Sequence, residues 1–277
     1  MKKIIFNQDE LDNIYQLYYN EGKSFRELEE IYHCSQTVFD RTFKEQNWQP
    51  HKQYYKMIKY SVNDHYFDII DNPDKAYCLG LWYADGCNYL DRGDIRIELQ
   101  IDDLDVLQQI NKLVDNTNPI KICSSKNRKT RKKDTCVLNI HSYHMCQVLN
   151  DYNFIPRKSL TLDFPYWMDK KLIPYMLRGY IDGDGWIQQY RIGFMSTDKF
   201  CKGVKDYFDS IGLECHIRDM KRHYDERTKT FDISGRKNLI PLTNLMFAEG
   251  NIFMQRKVDK YIQYGFLKEF KNNSLIA

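Results

Sequence analysis

The sequence predicts an α+β protein: a small helical domain, then two pseudo-symmetric units that each run αββαββα. Three observations carry this expectation. The segment CLGLWYADG (Cys78 to Gly86) returns as LRGYIDGDG (Leu177 to Gly185), 99 positions later. Strand alternation follows each copy, as where Ile95, Ile97, Leu99 and Ile101 alternate with Arg96, Glu98 and Gln100. Helical periodicity and capping signals fill the first 47 residues. The expected division is a helical domain over 1–47, a polar, aromatic linker over 48–72, unit 1 over 73–170 and unit 2 over 171–277.

In the first domain a helix is expected from Gln8 to Tyr19, with Ile14, Leu17 and Tyr18 on one face, ending at Gly22. Ser24 and Glu27 form a capping box for a second helix carrying Leu28 and Ile31 inward. After a break at His33 and Cys34, Ser35 is placed to cap a third helix, Gln36 to about Gln46, with Val38 and Phe39 inward. Three short helices with a tight turn before the last resemble a helix-turn-helix unit. Gln36, Thr37, Asp40, Arg41 and Lys44 would then project, with Gln36 and Arg41 expected on DNA. The competing reading is a small bundle serving only as a packing cap, because the helix is not strongly basic.

Each repeat continues in the same order. In unit 1 the alternating strand leads to a helix with Leu104, Val106, Leu107 and Ile110. A basic hairpin follows, whose return strand carries Cys136, Leu138 and Ile140. Unit 2 repeats this with Ile192 and Phe194, a helix from Phe200 to Ile211, then Phe231 and Ile233. Asp85 is followed 73 residues later by Lys158, within FIPRKS, and Asp184 by Lys257 at the same distance, within MQRKVD.

Composition excludes several classes. Hydrophobic residues at 42% rule against disorder. Eight cysteines without a C-x-x-C pair argue against a disulfide scaffold or a zinc ribbon. His141 and His144, beside Cys146, read as the start of a helix rather than as a zinc site. No apolar stretch approaches 18 residues, so no membrane partner is expected and a cytoplasmic protein is, with an organelle matrix as the alternative. A net charge of +3 leaves a nucleic-acid partner to be decided by local charge.

The repeated segments suit a particular chemistry. Gly80 and Ala84, like Gly179 and Gly183, are small residues four apart, which clears a groove so that two helices can pack nearly backbone to backbone. Asp85 and Asp184, at the two helix ends, would then be adjacent. Their mutual repulsion is worsened by the negative ends of both helix dipoles, and divalent cations would relieve it. Hard oxygen ligands suit Mg²⁺ (or Mn²⁺). A phosphodiester above such a pair would receive a polarised phosphate and a water of lowered pKa.

CLGLWYADG and LRGYIDGDG resemble the two LAGLIDADG motifs of single-chain homing endonucleases, over about residues 73–265. The resemblance implies two αββαββα units sharing the motif helices, each with an antiparallel sheet saddled on double-stranded DNA. It implies that Asp85 and Asp184 bind metal and catalyse hydrolysis of both strands of a long site. It implies a basic residue near each scissile phosphate, which maps to Lys158 and Lys257. Gln100 falls where the family often places a polar residue that organises water, and Met195 is taken as its counterpart. The first motif departs from the pattern with Tyr83 where many members have Asp. The second keeps Asp182, which is therefore read as structural.

Hydrophobic strand positions should pack on the helices and leave the alternate residues facing a major groove. In unit 1 these are Tyr89, Arg96, Glu98, Gln100, Lys121 and Asn139; in unit 2, Gln188, Tyr190, Arg191, His216, Arg218 and Asp232. The hairpin tips are basic: Lys126, Arg128, Lys129 and Arg131 in one, Arg218, Lys221 and Arg222 in the other, which suits phosphate contacts at both flanks. With both motifs in one chain, a monomer with internal pseudo-two-fold symmetry is expected. The alternative function is a nucleic-acid binder that does not cleave: a maturase acting on intron RNA, or a LAGLIDADG-derived transcription regulator.

Overall fold

A computed structural model of the chain describes residues 4–48, 60–125, 133–219 and 228–268. At the N-terminus α1 (Gln8–Tyr15) begins with a capping box between Asn7 and Glu10 and runs into a π-helical turn, Gln16–Asn20. The single helix expected to Tyr19 thus widens in its last turn, where Tyr18 enters the core and Tyr19 packs on Phe43 and Trp48. Next, α2 (Phe25–Tyr32) starts at the expected box, with Ser24 N–H donating to Glu27 Oε2 at 2.7 Å and Glu27 N–H to Ser24 Oγ at 3.2 Å. His33, in the left-handed region at φ 49°, turns the chain towards α3 (Gln36–Glu45).

Two local expectations fail here. Ile31 is 47% exposed, because Leu28 and the rings of Phe25 and Tyr32 form the inner side of α2. Ser35 does not cap α3: its hydroxyl shares a 2.8 Å hydrogen bond with Thr37 Oγ1, and the Glu29 carboxylate accepts the Gln36 N–H instead. An aromatic cluster of Tyr18, Phe25, Phe39 and Phe43 holds the three helices, as a core separate from the rest of the chain.

From residue 60 onward, the connector leans on unit 1. Phe67 is fully buried, edge-on to Trp82 at 4.6 Å, and Ile70 joins the same core. Asn72 then accepts Lys75 N–H at 3.0 Å and Pro73 occupies the first turn, so α4 (Pro73–Asp85) starts with two favourable signals.

Unit 1 continues with β1 (Gly86–Tyr89), β2 (Asp94–Gln100), α5 (Leu104–Leu113), β3 (Lys121–Cys123), β4 (Thr135–His141) and α6 (Tyr143–Asp151). Unit 2 is α7 (Ile173–Asp184), β5 (Trp186–Gln188), β6 (Arg191–Thr197), α8 (Asp198–Ser210), β7 (Cys215–Asp219), β8 (Thr228–Ser234) and α9 (Arg236–Met246), followed by α10 (Gln255–Gln263). Both units run αββαββα, as the sequence predicts. Among the described residues the strands form two antiparallel four-stranded sheets of matching order, β1-β2-β4-β3 and β5-β6-β8-β7.

The two repeated helices, α4 and α7, pack together at the centre. A Cβ at Gly80 would lie 1.9 Å from the Met176 carbonyl oxygen, and one at Gly179 would lie 2.0 Å from that of Tyr77. Only hydrogen fits at either place, so the two glycines set the helix spacing. Around this pair one continuous apolar core spans both units. The eight cysteines are free thiols, six of them buried as small hydrophobes. Among the described residues no helix is long and apolar enough to cross a membrane.

Candidate active site

Because α4 and α7 run side by side, their C-terminal acids meet at one end of the interface. Asp85 is half-buried and Asp184 reaches solvent. The unit 2 backbone comes so close that a Cβ at Gly183 would stand 2.9 Å from Asp85 Oδ2. Burial, and then the charge of Asp184, push the Asp85 carboxyl up to about 6, against the pull of Lys158, Lys257 and Arg256. Asp184, although exposed, is also raised by desolvation, while the two lysines oppose the shift.

Lys158 and Lys257 depart from the usual solvated lysine: they are 7% and 4% exposed. Lys158 Nζ donates to the Gly86 carbonyl, with a longer 3.4 Å contact to that of Ala84. Lys257 Nζ donates to the Ile181 carbonyl at 3.0 Å and to that of Gly185. Each lysine therefore covers the carbonyl end of one repeated helix, where a positive charge is favoured. Burial lowers both ammonium pKa values, that of Lys257 to about 8. The supports differ: Lys158 opens a short 3₁₀ turn (Lys158–Leu160) after Arg157 at φ 59°, whereas Lys257 lies in the first turn of α10.

Beside Lys257, Arg256 Nε reaches across from unit 2 to Asp103 Oδ1 in unit 1 at 2.7 Å. Asp103 is 2% exposed, so Arg256 brings a partly exposed cation near Asp85 with its tether in the other unit. No local pattern pointed to this pair, whose members are 153 residues apart. Asp182 is 1% exposed and accepts from Tyr77 Oη at 2.8 Å and from Met254 N–H at 2.9 Å, which keeps it inside the interface.

Gln100 is exposed as the last residue of β2, opposite Thr135. Its counterpart is not Met195. β2 begins with Asp94 opposite His141 and β6 with Arg191 opposite Ser234, so Met195 matches Glu98 and Thr197 matches Gln100. Thr197 is buried and accepts Phe200 N–H at 3.1 Å as the N-cap of α8, a position used for folding rather than display.

The outward face of the first sheet carries Tyr89, Arg96, Glu98 and Gln100, with Asn139 and Lys121 at matching register positions on β4 and β3. Arg96 Nη2 lies 3.0 Å from Glu98 Oε2, and Thr135 Oγ1 donates to Glu98 Oε1 at 2.7 Å. The second sheet presents Gln188, Arg191, His216 and Arg218, with Tyr190 69% exposed in the β5–β6 turn. Arg191 Nε donates to Gln188 Oε1 at 2.7 Å. Asp232, expected to face a groove, is instead 2% exposed beneath Arg218, whose Nη1 lies 3.3 Å from Asp232 Oδ1. Lys126, Arg128, Lys129, Arg131, Lys221 and Arg222 lie outside the described residues. On α3, Gln36 is exposed, whereas Arg41 is half-buried, donating to the Ile4 carbonyl and lying 3.8 Å from Glu45.

The profile of the LAGLIDADG-like domain family matches residues 172–244, a span covering α7 and unit 2 into α9. Among solved structures, that of the meganuclease I-SmaMI bound to uncleavable DNA is 12% identical, covering 68% of this chain and 88% of its own, with a TM-score of 0.45. Mesophilic variants of the homing endonuclease I-DmoI are 15% identical, with 68% and 98% covered and a TM-score of 0.45. Full-length DUF199/WhiA from Thermatoga maritima is 11% identical, with 76% and 67% covered, again at 0.45. No curated protein sequence matches the chain.

Proposed function

We propose that this chain, a LAGLIDADG-like protein, is a site-specific endonuclease that hydrolyses both strands of a long duplex DNA site, as in intron homing. One observation carries the reading: two carboxylates are held together at the end of a glycine-spaced helix pair, although burial, and then the charge of Asp184, raise the pKa of Asp85 to about 6. Packing alone gives no reason to keep two acids there. The donor set fits a hard divalent cation, Mg²⁺ or Mn²⁺, held by the carboxylates of Asp85 and Asp184. Such a cation would supply phosphate polarisation and a more acidic water.

The chain's own residues divide the remaining work. Asp85 and Asp184, related by the internal duplication, each attend one strand. Lys158 and Lys257 neutralise the helix carbonyl ends and place an ammonium near the charge that develops on the phosphate. Gln100 positions water on one side only, since Thr197 is committed to capping. The outward sheet faces read base edges, with Arg96, Glu98 and Asn139 in one half and Gln188, Arg191, His216 and Arg218 in the other. The Arg96–Glu98 and Arg191–Gln188 hydrogen bonds pre-order those side chains. The α2–α3 pair acts as a helix-turn-helix that lengthens the site through the exposed Gln36, Thr37, Asp40 and Lys44. One chain supplies both halves, so the active species is a monomer.

Cleavage of a randomised duplex library with Mg²⁺ tests this reading. One long sequence cut on both strands is the expected outcome. Retained binding to duplex DNA or to intron RNA without any cutting would replace it with a regulator or a maturase.

A further inference from the structure

Away from the paired acids, a second cluster of metal-ligating side chains joins two parts of the chain that are distant in sequence. His65 and Asp68 lie in the connector before α4, and His144 lies in the first turn of α6. His65 Nδ1 is 2.8 Å from Asp68 Oδ2, and His144 Nε2 is 2.6 Å from Asp68 Oδ1. The two imidazole centroids are 4.5 Å apart, tilted by 55°. One ligand atom from each residue lies within 4.8 Å of the other two. Tyr152 Oη donates to the Asp68 carbonyl at 2.6 Å, which fixes the backbone beneath the carboxylate.

We propose that His65, Asp68 and His144 form a Zn²⁺ site that fastens the connector to α6. Two imidazoles and a carboxylate are a borderline-soft donor set that prefers zinc to Mg²⁺, so the site is chemically distinct from the Asp85–Asp184 pair. Ligand atoms around tetrahedral zinc stand about 3.3 Å apart. The present spacings need only side-chain adjustment to reach that, and the side chains of His65, Asp68 and His144 are 74%, 39% and 34% exposed, free enough to make it. The fourth position opens to solvent. His141, which neighbours His144 in sequence, is not a member, because its Nδ1 is paired with Asp94. Zinc here would reinforce the ties that the buried Phe67 and the Tyr152–Asp68 hydrogen bond already make between residues 65–68 and unit 1, and so fix where the chain leading from the N-terminal domain joins the sheet units.

Zn²⁺ alone, titrated into metal-free full-length protein at pH 7.5, provides the test, with Co²⁺ as a spectroscopic probe. Wild type should bind one tightly held ion, show the visible absorption of tetrahedral cobalt and melt at a higher temperature. Asp68→Asn, His65→Gln and His144→Gln should each weaken that binding about tenfold or more and abolish the thermal shift. All three positions are partly exposed, so the variants should fold, and circular dichroism verifies this. Mg²⁺ should not compete for the site. Unchanged stoichiometry and affinity in the three variants would place the ion elsewhere in the chain and overturn the proposal, as would the absence of stoichiometric binding by wild type. The readout is independent of DNA cleavage, so it stands or falls separately from the proposed activity.

Discussion

The Tyr77 hydroxyl donates to Asp182 Oδ2 at 2.8 Å, from one repeated helix to the other. The pseudo-symmetric places are held by Met176 and Tyr83, which form no such bond; Tyr83 turns its hydroxyl to the Tyr152 carbonyl instead. The duplication is thus broken inside the interface while it is kept at the acidic helix ends. Asp182 is fully enclosed, and burial raises its pKa against the hydrogen bonds from Met254 and Tyr77. Removing a donor should be costly. Tyr77→Phe is expected to destabilise the fold by about 1–3 kcal/mol in chemical denaturation, with little change in the cleavage rate of the folded fraction.

Gly80 and Gly179 make reciprocal close contacts, so their alanine variants should behave alike. Each methyl would have to push a carbonyl about 1 Å or more away. Both Gly80→Ala and Gly179→Ala should lose at least about 1–3 kcal/mol, read as a lower melting temperature. Wild-type stability for either variant would contradict the backbone-to-backbone packing.

Asp85 gives a pH signature with a defined sign. Its folded value near 6 lies above the ordinary carboxylate value, so its contribution is fully present below about pH 4 and is lost as pH rises through 6. In the metal-free protein, Asp85→Asn should therefore be more stable than wild type at pH 7, by on the order of 1–2 kcal/mol. The difference should vanish towards pH 4. Saturating Mg²⁺ should narrow the gap at pH 7, because the ion relieves the repulsion in wild type alone.

The two lysines should act on separate strands. Lys158→Met and Lys257→Met are each expected to slow one strand's cutting about 100-fold, so that nicked plasmid accumulates. Equal slowing of both strands by both variants would instead point to a shared structural role in holding the helix ends.

Much of this architecture is legible in sequence because it rests on local or periodic signals. The repeat aligned Asp85 with Asp184, the glycine spacing foretold the α4–α7 contact, and strict alternation placed Ile95, Ile97 and Leu99 inward. Ser24 and Glu27 formed their box because both partners lie within one turn. The failures involve tertiary competition. Ser35 lost the cap to Glu29 from the preceding helix, and Asp232 was covered by Arg218 from the neighbouring strand. The burial of Lys158 and Lys257 depends on carbonyls 72 residues earlier in the chain, so no local pattern could show it. Met195 falls two residues short of the Gln100 counterpart because strand pairing sets the register, which matches Gln100 to Thr197. His144 has only His141 and Cys146 as ligand-type residues beside it in sequence, while its partner Asp68 lies 76 residues away.

The most direct measurement is strand-resolved cleavage of a duplex carrying the preferred site, labelled on each strand, with Mg²⁺ present and then chelated. Wild type should cut both strands only with metal. Asp85→Asn and Asp184→Asn should bind the same duplex but make no double-strand break. If wild type binds without cutting, or if both variants cut both strands at the wild-type rate, the paired carboxylates are not the catalytic centre.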